Sequence, residues 1–109
     1  MPTIYKVLGQ VAPAAVTNTT LYTVPAATST VISTLSVCNR GATSCVYRVA
    51  IRIAGSALSD EEYIVYDSVA PAQDTIFLTL GIALAATDVV TVYTSLATVS
   101  FNAFGSEIS

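Results

Sequence analysis

The chain has 109 residues, of which 53% are apolar and 10% charged, with a formal net charge of −3 and no histidine. This length fits one domain, residues 1–109. The acidic balance disfavours nucleic acid as a partner, because phosphate binding needs clustered Lys and Arg. Without histidine, Ser-His-Asp catalysis, Cys-His catalysis and His-ligated metals are excluded.

The low charged fraction is well below the usual quarter for a soluble domain. We therefore expect other protein chains to cover much of the surface, the alternative being an ordinary Thr-rich monomer. No apolar run is long enough to span a bilayer, so we expect no membrane partner. The N-terminus lacks the features of a signal peptide, so synthesis and folding in a cytoplasm are expected.

Strand-like runs follow one another along the chain, separated by Gly, Pro, Asn and Asp. They are predicted at 4–11, 19–24, 30–39, 44–54, 62–67, 75–80, 89–94 and 98–104. This spacing predicts an all-β fold, an antiparallel β-sandwich (jelly-roll-like or Greek-key) of about eight strands. A short helical turn is expected only near 56–62, where Ser59 could cap the acidic residues that follow.

Alternation of apolar and polar residues predicts which face of a strand is buried. The residues expected to face the core are Tyr47, Val49, Ile51 and Ile53 in the fourth run, Ile76, Leu78 and Leu80 in the sixth, and Val99, Phe101 and Ala103 in the last. The run 30–39 alternates less regularly. We expect it to be covered on both sides, by the second sheet and by a neighbouring subunit or a loop.

Two cysteines, Cys38 and Cys45, bracket a short polar segment. If this segment is a hairpin loop, the two sulfurs could face each other and form a disulfide. Cytoplasmic synthesis favours free thiols instead. Two cysteines without histidine do not make a conventional structural zinc site within one chain.

The sequence offers a candidate interface but no catalytic group. Arg48 and Arg52 are predicted on the exposed face of one strand, and Tyr63 and Tyr66 on opposite faces of the next. The predicted interface residues are Arg48, Arg52, Asp60, Glu61, Glu62 and Tyr66. The arginines suit carboxylates, within the chain, across the next hairpin or between subunits.

The remaining acidic residues have simpler expected roles. Asp74 and Asp88 lie just ahead of strands, where carboxylates accept backbone hydrogen bonds. Adjacent acids in a polar loop are usually a solvated surface, so we expect neither an enzyme nor a cofactor. Carbohydrate binding is disfavoured, because the chain has no Trp and shows no cluster of Asp and Asn around an exposed Tyr.

Several segments together resemble a family of small virion proteins of tailed bacteriophages, including phages of cyanobacteria. They are YKVLGQ at 5–10, LYTVPA at 21–26, VCNR at 37–40, YRVAIR at 47–52, LTLG at 78–81 and FNAFG at 101–105. These segments extend over nearly the whole chain. They are structural sequence features, and none of them is a site motif.

The resemblance implies a protein that attaches in many copies to a larger shell or tail. The leading expectation is a capsid decoration (cement) protein, a homo-oligomer and most simply a trimer, that bridges major capsid subunits on the virion surface. The alternative is a tail, neck or fibre component involved in assembly or host attachment. A third class, a carbohydrate-binding module, is less favoured.

Overall fold

A computed structural model describes residues 2–79 and 81–109. Within these residues the chain forms nine β-strands and two short 3₁₀ turns, Ile53–Gly55 and Asp60–Glu62. The strands are β1 (Thr3–Val11), β2 (Thr19–Thr23), β3 (Ser29–Asn39), β4 (Cys45–Arg52), β5 (Tyr63–Ala70), β6 (Asp74–Leu78), β7 (Ile82–Leu84), β8 (Val89–Thr94) and β9 (Val99–Ile108).

The strands form two antiparallel sheets. One has five strands in the order β1-β9-β3-β6, with β7 also paired to β3, and the other has four in the order β2-β8-β4-β5. Taking β6 and β7 as one interrupted strand, this is the eight-strand order of a jelly roll, in which most connections cross between the sheets. The predicted antiparallel β-sandwich is confirmed.

The core lies between the two sheets and follows from the alternation of the strands. Val99, Phe101 and Ala103 of β9 are fully buried, as predicted, and the Phe101 ring meets the edge of Tyr47 with 6.3 Å between ring centroids. Ile76 and Leu78 also pack against the core. Leu80, predicted to continue this row, lies outside the described residues.

Two strand predictions need correction. The fourth strand ends at Arg52, so Ile53 is 61% exposed instead of buried, and Ala54 (φ 52°) turns the chain away from the sheet. The three-residue strand β7 was not predicted, because Ile82–Leu84 is too short to show a period. The predicted turn near 56–62 is confirmed as Asp60–Glu62, but the 3₁₀ turn at Ile53–Gly55 lies outside the one place where a helical turn was expected.

A β-bulge explains the irregular pattern of β3. Against β9, Ile32 pairs with Gly105 and Thr34 with Phe104, so Ser33 is an extra residue. The extra residue reverses the inward parity, from Ile32 before it to Leu35 after it. The bulge accounts for the change of parity, but the second half of β3 is covered on both sides, since Ser36 on the outer side is buried at 7% exposure beside Leu35 and Val37.

The segment between the cysteines is not a hairpin. β3 and β4 belong to different sheets, so the chain crosses the end of the sandwich between Cys38 and Cys45. Both thiols are free, and burial raises the pKa of Cys45. The crossing is held by Asn39, which is 1% exposed.

The Asn39 amide group forms hydrogen bonds that hold this end of the sandwich together. Its nitrogen donates to the carbonyl oxygens of Thr43 (2.9 Å) and Ala70 (3.0 Å). Its oxygen accepts from the backbone N–H of Gly41 (3.0 Å) and the hydroxyl of Thr98 (2.9 Å). The Asn39 side chain thus joins the crossing between β3 and β4 to Ala70 at the end of β5 and to Thr98, just before β9.

A second polar contact between the sheets is centred on Glu107. Its carboxylate accepts a hydrogen bond from the Tyr22 hydroxyl (2.5 Å) and pairs with the Lys6 ammonium (2.9 Å). The Tyr22 hydroxyl also lies 2.8 Å from that of Thr30. The hydrogen bonds from Tyr22 and Lys6 lower the pKa of Glu107. Burial and the nearby carboxylate raise the pKa of Tyr22 to about 12.

We predict that Glu107→Gln lowers the free energy of unfolding at pH 7 by about 1–3 kcal/mol, because a charge-assisted contact with two partners is lost. Because the pKa of Glu107 is lowered by folding, its contribution is present above the ordinary glutamate pKa and lost as pH falls through the folded value. The variant should therefore lose less stability on acidification. Urea unfolding across pH 3–7 measures this, with the exposed Glu61→Gln as control; parallel pH profiles for wild type and Glu107→Gln would contradict it.

We predict that Asn39→Ala destabilises the fold by about 2–4 kcal/mol, because several buried polar groups lose their partner together. Asn102 is on the outward side of β9 and only partly buried, so Asn102→Ala is the matched control, with an expected change of about 0.5 kcal/mol or less. Thermal and urea unfolding measure both variants. Equal losses would show that the Asn39 amide does not hold the crossing.

Candidate interaction site

The outer face of the four-stranded sheet brings together four of its aromatic and cationic side chains. Tyr63 and Tyr66 meet edge to face, with 4.9 Å between ring centroids. They were expected on opposite faces. Along β4, Val49 pairs with Val65 and Ala50 with Tyr63, so Ile64 is a bulged extra residue that restores both tyrosines to one face.

Arg48 lies at the centre of this face. Its guanidinium carbon is 4.3 Å from the ring centroid of Tyr66 and 4.2 Å from that of Tyr93, so the group is held between two rings. Its Nε donates to Asp67 Oδ1 at 2.6 Å and its Nη2 to Oδ2 at 3.4 Å. We name Arg48, Tyr63, Tyr66, Asp67 and Tyr93 the arginine–tyrosine cluster.

A second bulge places the partner of Arg48. Tyr47 pairs with Ser68 and Val49 with Val65, so Tyr66 and Asp67 together oppose Arg48. Asp67 takes a positive φ of 53°, a conformation that Asp tolerates better than most residues. Arg48 is therefore paired within the chain, across the next hairpin, which is one of the predicted options. The hydrogen bond to Asp67 raises the pKa of the Arg48 guanidinium above its ordinary value.

Arg52 has a different environment from Arg48. Its Nε donates to the carbonyl oxygen of Ser56 (2.7 Å) and its Nη2 to that of Gly55 (2.9 Å). The arginine thus closes the loop that leaves β4. Ala50, which lies between Arg48 and Arg52 on the same side of β4, is buried at 1% exposure, and its ladder partner is Tyr63.

The acidic turn contains three carboxylates with unequal roles. Glu62 accepts from the backbone N–H of Ser59 (3.0 Å) and from the hydroxyl of Ser56 (3.0 Å), and the backbone contact is the main reason why its pKa is lowered. Glu61 accepts from the Ser59 hydroxyl at 2.8 Å. Among the described residues no hydrogen bond or ion pair engages the Asp60 carboxylate.

Asp60, Tyr63 and Tyr66 line a shallow depression of about 420 Å³ beside the cluster. Tyr66 is 58% exposed although Arg48 and Tyr63 fix its ring. Of the six predicted interface residues, the structure brings Arg48 and Tyr66 into contact and sets Asp60 next to them. Arg52, Glu61 and Glu62 shape the adjoining loop.

Tyr63, Asp67 and Tyr93 belong to this site but were not predicted for it. Tyr63 was placed on the opposite face, and the other two reach Arg48 only through strand pairing that a sequence does not reveal. The one signal in the sequence was that the carboxylate of Asp67 directly follows the aromatic Tyr66 on the strand after Arg48.

The arrangement suits recognition of a surface. A fixed, exposed aromatic ring beside a paired arginine is the composition of a binding hot spot. In residues 2–79 and 81–109, no group of three or more Cys, Asp or Glu is placed to hold a metal ion. No helix in that part of the chain has the length and apolar character to cross a membrane.

Comparison with protein-family models, curated proteins and solved structures gives no match to this chain.

We predict measurable coupling between Arg48 and Asp67. Arg48→Lys loses the planar contact with both rings and the second hydrogen bond, while Asp67→Asn keeps the turn conformation and removes the charge. Urea unfolding of the two single variants and the double variant should give a coupling energy of about 0.5–1 kcal/mol.

The control for this cycle is Arg40→Lys combined with Asp67→Asn, since the Arg40 side chain donates only to the carbonyl oxygen of Ala97 (3.2 Å). That pair should be additive within about 0.3–0.5 kcal/mol. If the changes in unfolding free energy of the Arg48 and Asp67 variants were also additive, the contact between these residues would contribute nothing to stability.

Proposed function

We propose that this chain is a structural subunit of a tailed-bacteriophage virion, a capsid decoration protein that bridges and stabilises major capsid subunits. The protein would act by binding, without catalysis and without a cofactor. Attachment that buries surface of neighbouring shell subunits stabilises the assembled state by mass action. Location on the virion surface follows from this role.

The observation that best supports the proposal is the arginine–tyrosine cluster. Its exposed ring, Tyr66, is held on two sides before any partner arrives, so little side-chain entropy is lost on docking. The Arg48 charge is already neutralised by Asp67, which reduces the cost of burying it at an interface. The fixed Tyr66 ring and the neutralised Arg48 charge both favour a permanent contact with a larger protein surface.

The jelly-roll topology supports the same proposal by analogy of fold. Jelly rolls are common among viral capsid and lectin domains, and fold by itself does not specify a function. The segments that resemble phage virion proteins include β4, which supplies Arg48, and β9, which forms the centre of the five-stranded sheet.

The contact face that we propose for the shell includes the six residues predicted from the sequence. Arg48, Tyr66 and Asp60 would meet the partner directly. Arg52, Glu61 and Glu62 would act by fixing the loop at the edge of the contact.

We predict that purified virions of the phage encoding this chain contain it in many copies, on the order of hundreds, because a closed shell repeats each contact by symmetry. Quantitative mass spectrometry against the major capsid protein measures the ratio. A few to a few dozen copies would instead indicate a tail, neck or fibre component. Absence from purified virions would contradict any virion role.

We predict that Tyr66→Ala weakens attachment to particles that lack the protein, by about 2 kcal/mol or about thirtyfold in affinity, because a hot-spot side chain is removed. The matched control is Val16→Ala, which removes an exposed side chain from the β1–β2 connection. Bound copies per particle are counted after adding each purified variant. Equal binding of the two variants would show that the arginine–tyrosine cluster is not part of the interface.

A further inference from the structure

The contacts of Arg48 show how this protein surface holds a guanidinium group. The central carbon of the group lies 4.3 Å from the ring centroid of Tyr66 and 4.2 Å from that of Tyr93. Asp67 supplies the negative charge, with 2.6 Å between Arg48 Nε and Asp67 Oδ1. Two tyrosine rings and one carboxylate therefore hold an arginine on the outer face of the four-stranded sheet.

The depression beside Arg48 contains the same kinds of group. It is lined by Asp60, Tyr63 and Tyr66, and its volume of about 420 Å³ is in the range of small-ligand sites, about 300–1,000 Å³. Its lining residues, within the part of the chain that the structure describes, include no Lys or Arg. Tyr66 is exposed and Tyr63 partly exposed, so a side chain from outside can reach both rings.

The local backbone holds Asp60 next to Tyr63. Asp60 begins the 3₁₀ turn Asp60–Glu62, and the backbone N–H of Tyr63 donates to the Asp60 carbonyl oxygen. The Glu62 carboxylate accepts from the backbone N–H of Ser59 at 3.0 Å, which fixes the start of the turn. The acid and the ring are thus brought together before any partner binds, which limits the conformational entropy lost on binding.

The charge of Asp60 is not neutralised within the described residues. Its carboxylate forms no ion pair or hydrogen bond there. The four Lys and Arg side chains of the chain contact Glu107, Asp67 or backbone carbonyl oxygens instead. A cation from another molecule would therefore form a charge pair that the folded chain leaves unmade.

The chemistry of the lining residues selects the kind of cation. A metal ion fits poorly, because the lining contributes one carboxylate and Ca²⁺ takes about six to eight oxygen ligands. Arginine fits better than lysine, because its planar guanidinium stacks on aromatic rings, donates two hydrogen bonds to one carboxylate and is more weakly hydrated. Arginine and tyrosine are also enriched among the residues that carry most of the energy of protein interfaces.

We propose that the depression lined by Asp60, Tyr63 and Tyr66 binds an arginine side chain of the partner protein. The guanidinium lies against the tyrosine rings and pairs with the Asp60 carboxylate, as Arg48 pairs with Asp67. The inference deepens the proposed function and rests on it for the identity of the partner. The recognition of arginine belongs to the isolated chain and is tested there.

The test is an NMR titration of the full chain with N-acetyl-arginine amide, with N-acetyl-lysine amide and the uncharged N-acetyl-citrulline amide titrated at the same ionic strength. Saturable shifts of the Tyr63 and Tyr66 rings should give a dissociation constant of about 1–10 mM, as expected for a single side chain. The lysine amide should bind at least about twofold more weakly, and the citrulline amide should not saturate.

Asp60→Asn should raise the dissociation constant of the arginine amide about three- to fivefold, the effect of losing an exposed ion pair. The matched control is Asp74→Asn, which removes the same charge from an exposed position on the other sheet and should change the constant by less than about 1.5-fold.

The inference would be overturned if the two rings showed no saturable shift, if arginine and citrulline amides bound equally, or if the two Asp variants had equal effects. Tighter binding of the lysine amide would also overturn it. Attachment to particles without arginine-amide binding would overturn this inference alone. Arginine-amide binding by a chain that does not attach to particles would support the arginine site and contradict the proposed function.

Discussion

The scarcity of charge is the constraint on which the rest of this structure depends. The chain has four Lys and Arg side chains, and each is held by acceptors of the same chain. Lys6 binds Glu107 and Arg48 binds Asp67, while Arg40 and Arg52 donate to backbone carbonyl oxygens. With its cations engaged internally, the molecule presents one sheet face without charge and another on which a paired arginine supports an exposed aromatic ring.

The two faces differ in what they can recognise. The outer face of the five-stranded sheet holds no Asp, Glu, Lys or Arg at the outward positions of its described strands. The arginine–tyrosine cluster, with Asp60 beside it, offers aromatic area and, among the described residues, an acid without a hydrogen bond or ion pair.

Much of the fold could be predicted from the sequence, because period-two alternation is a local property. Tyr47, Val49 and Ile51 of β4 and Val99, Phe101 and Ala103 of β9 were correct for this reason, whereas Ile53 lies beyond the end of β4. Two further errors arise where a bulge inserts one residue: Ser33 reverses the parity of β3, and Ile64 brings Tyr63 onto the face of Tyr66. A bulge depends on how a strand pairs with its neighbour, so the local sequence does not reveal it.

Side-chain footprinting by hydroxyl radicals, on the free protein and on the assembled particle, tests the account most directly. The account predicts that Tyr66, which is exposed in the single chain, is reactive in the free protein and becomes protected on the particle. High reactivity of Tyr66 in both samples would contradict it, because the arginine–tyrosine cluster would then not be covered by protein.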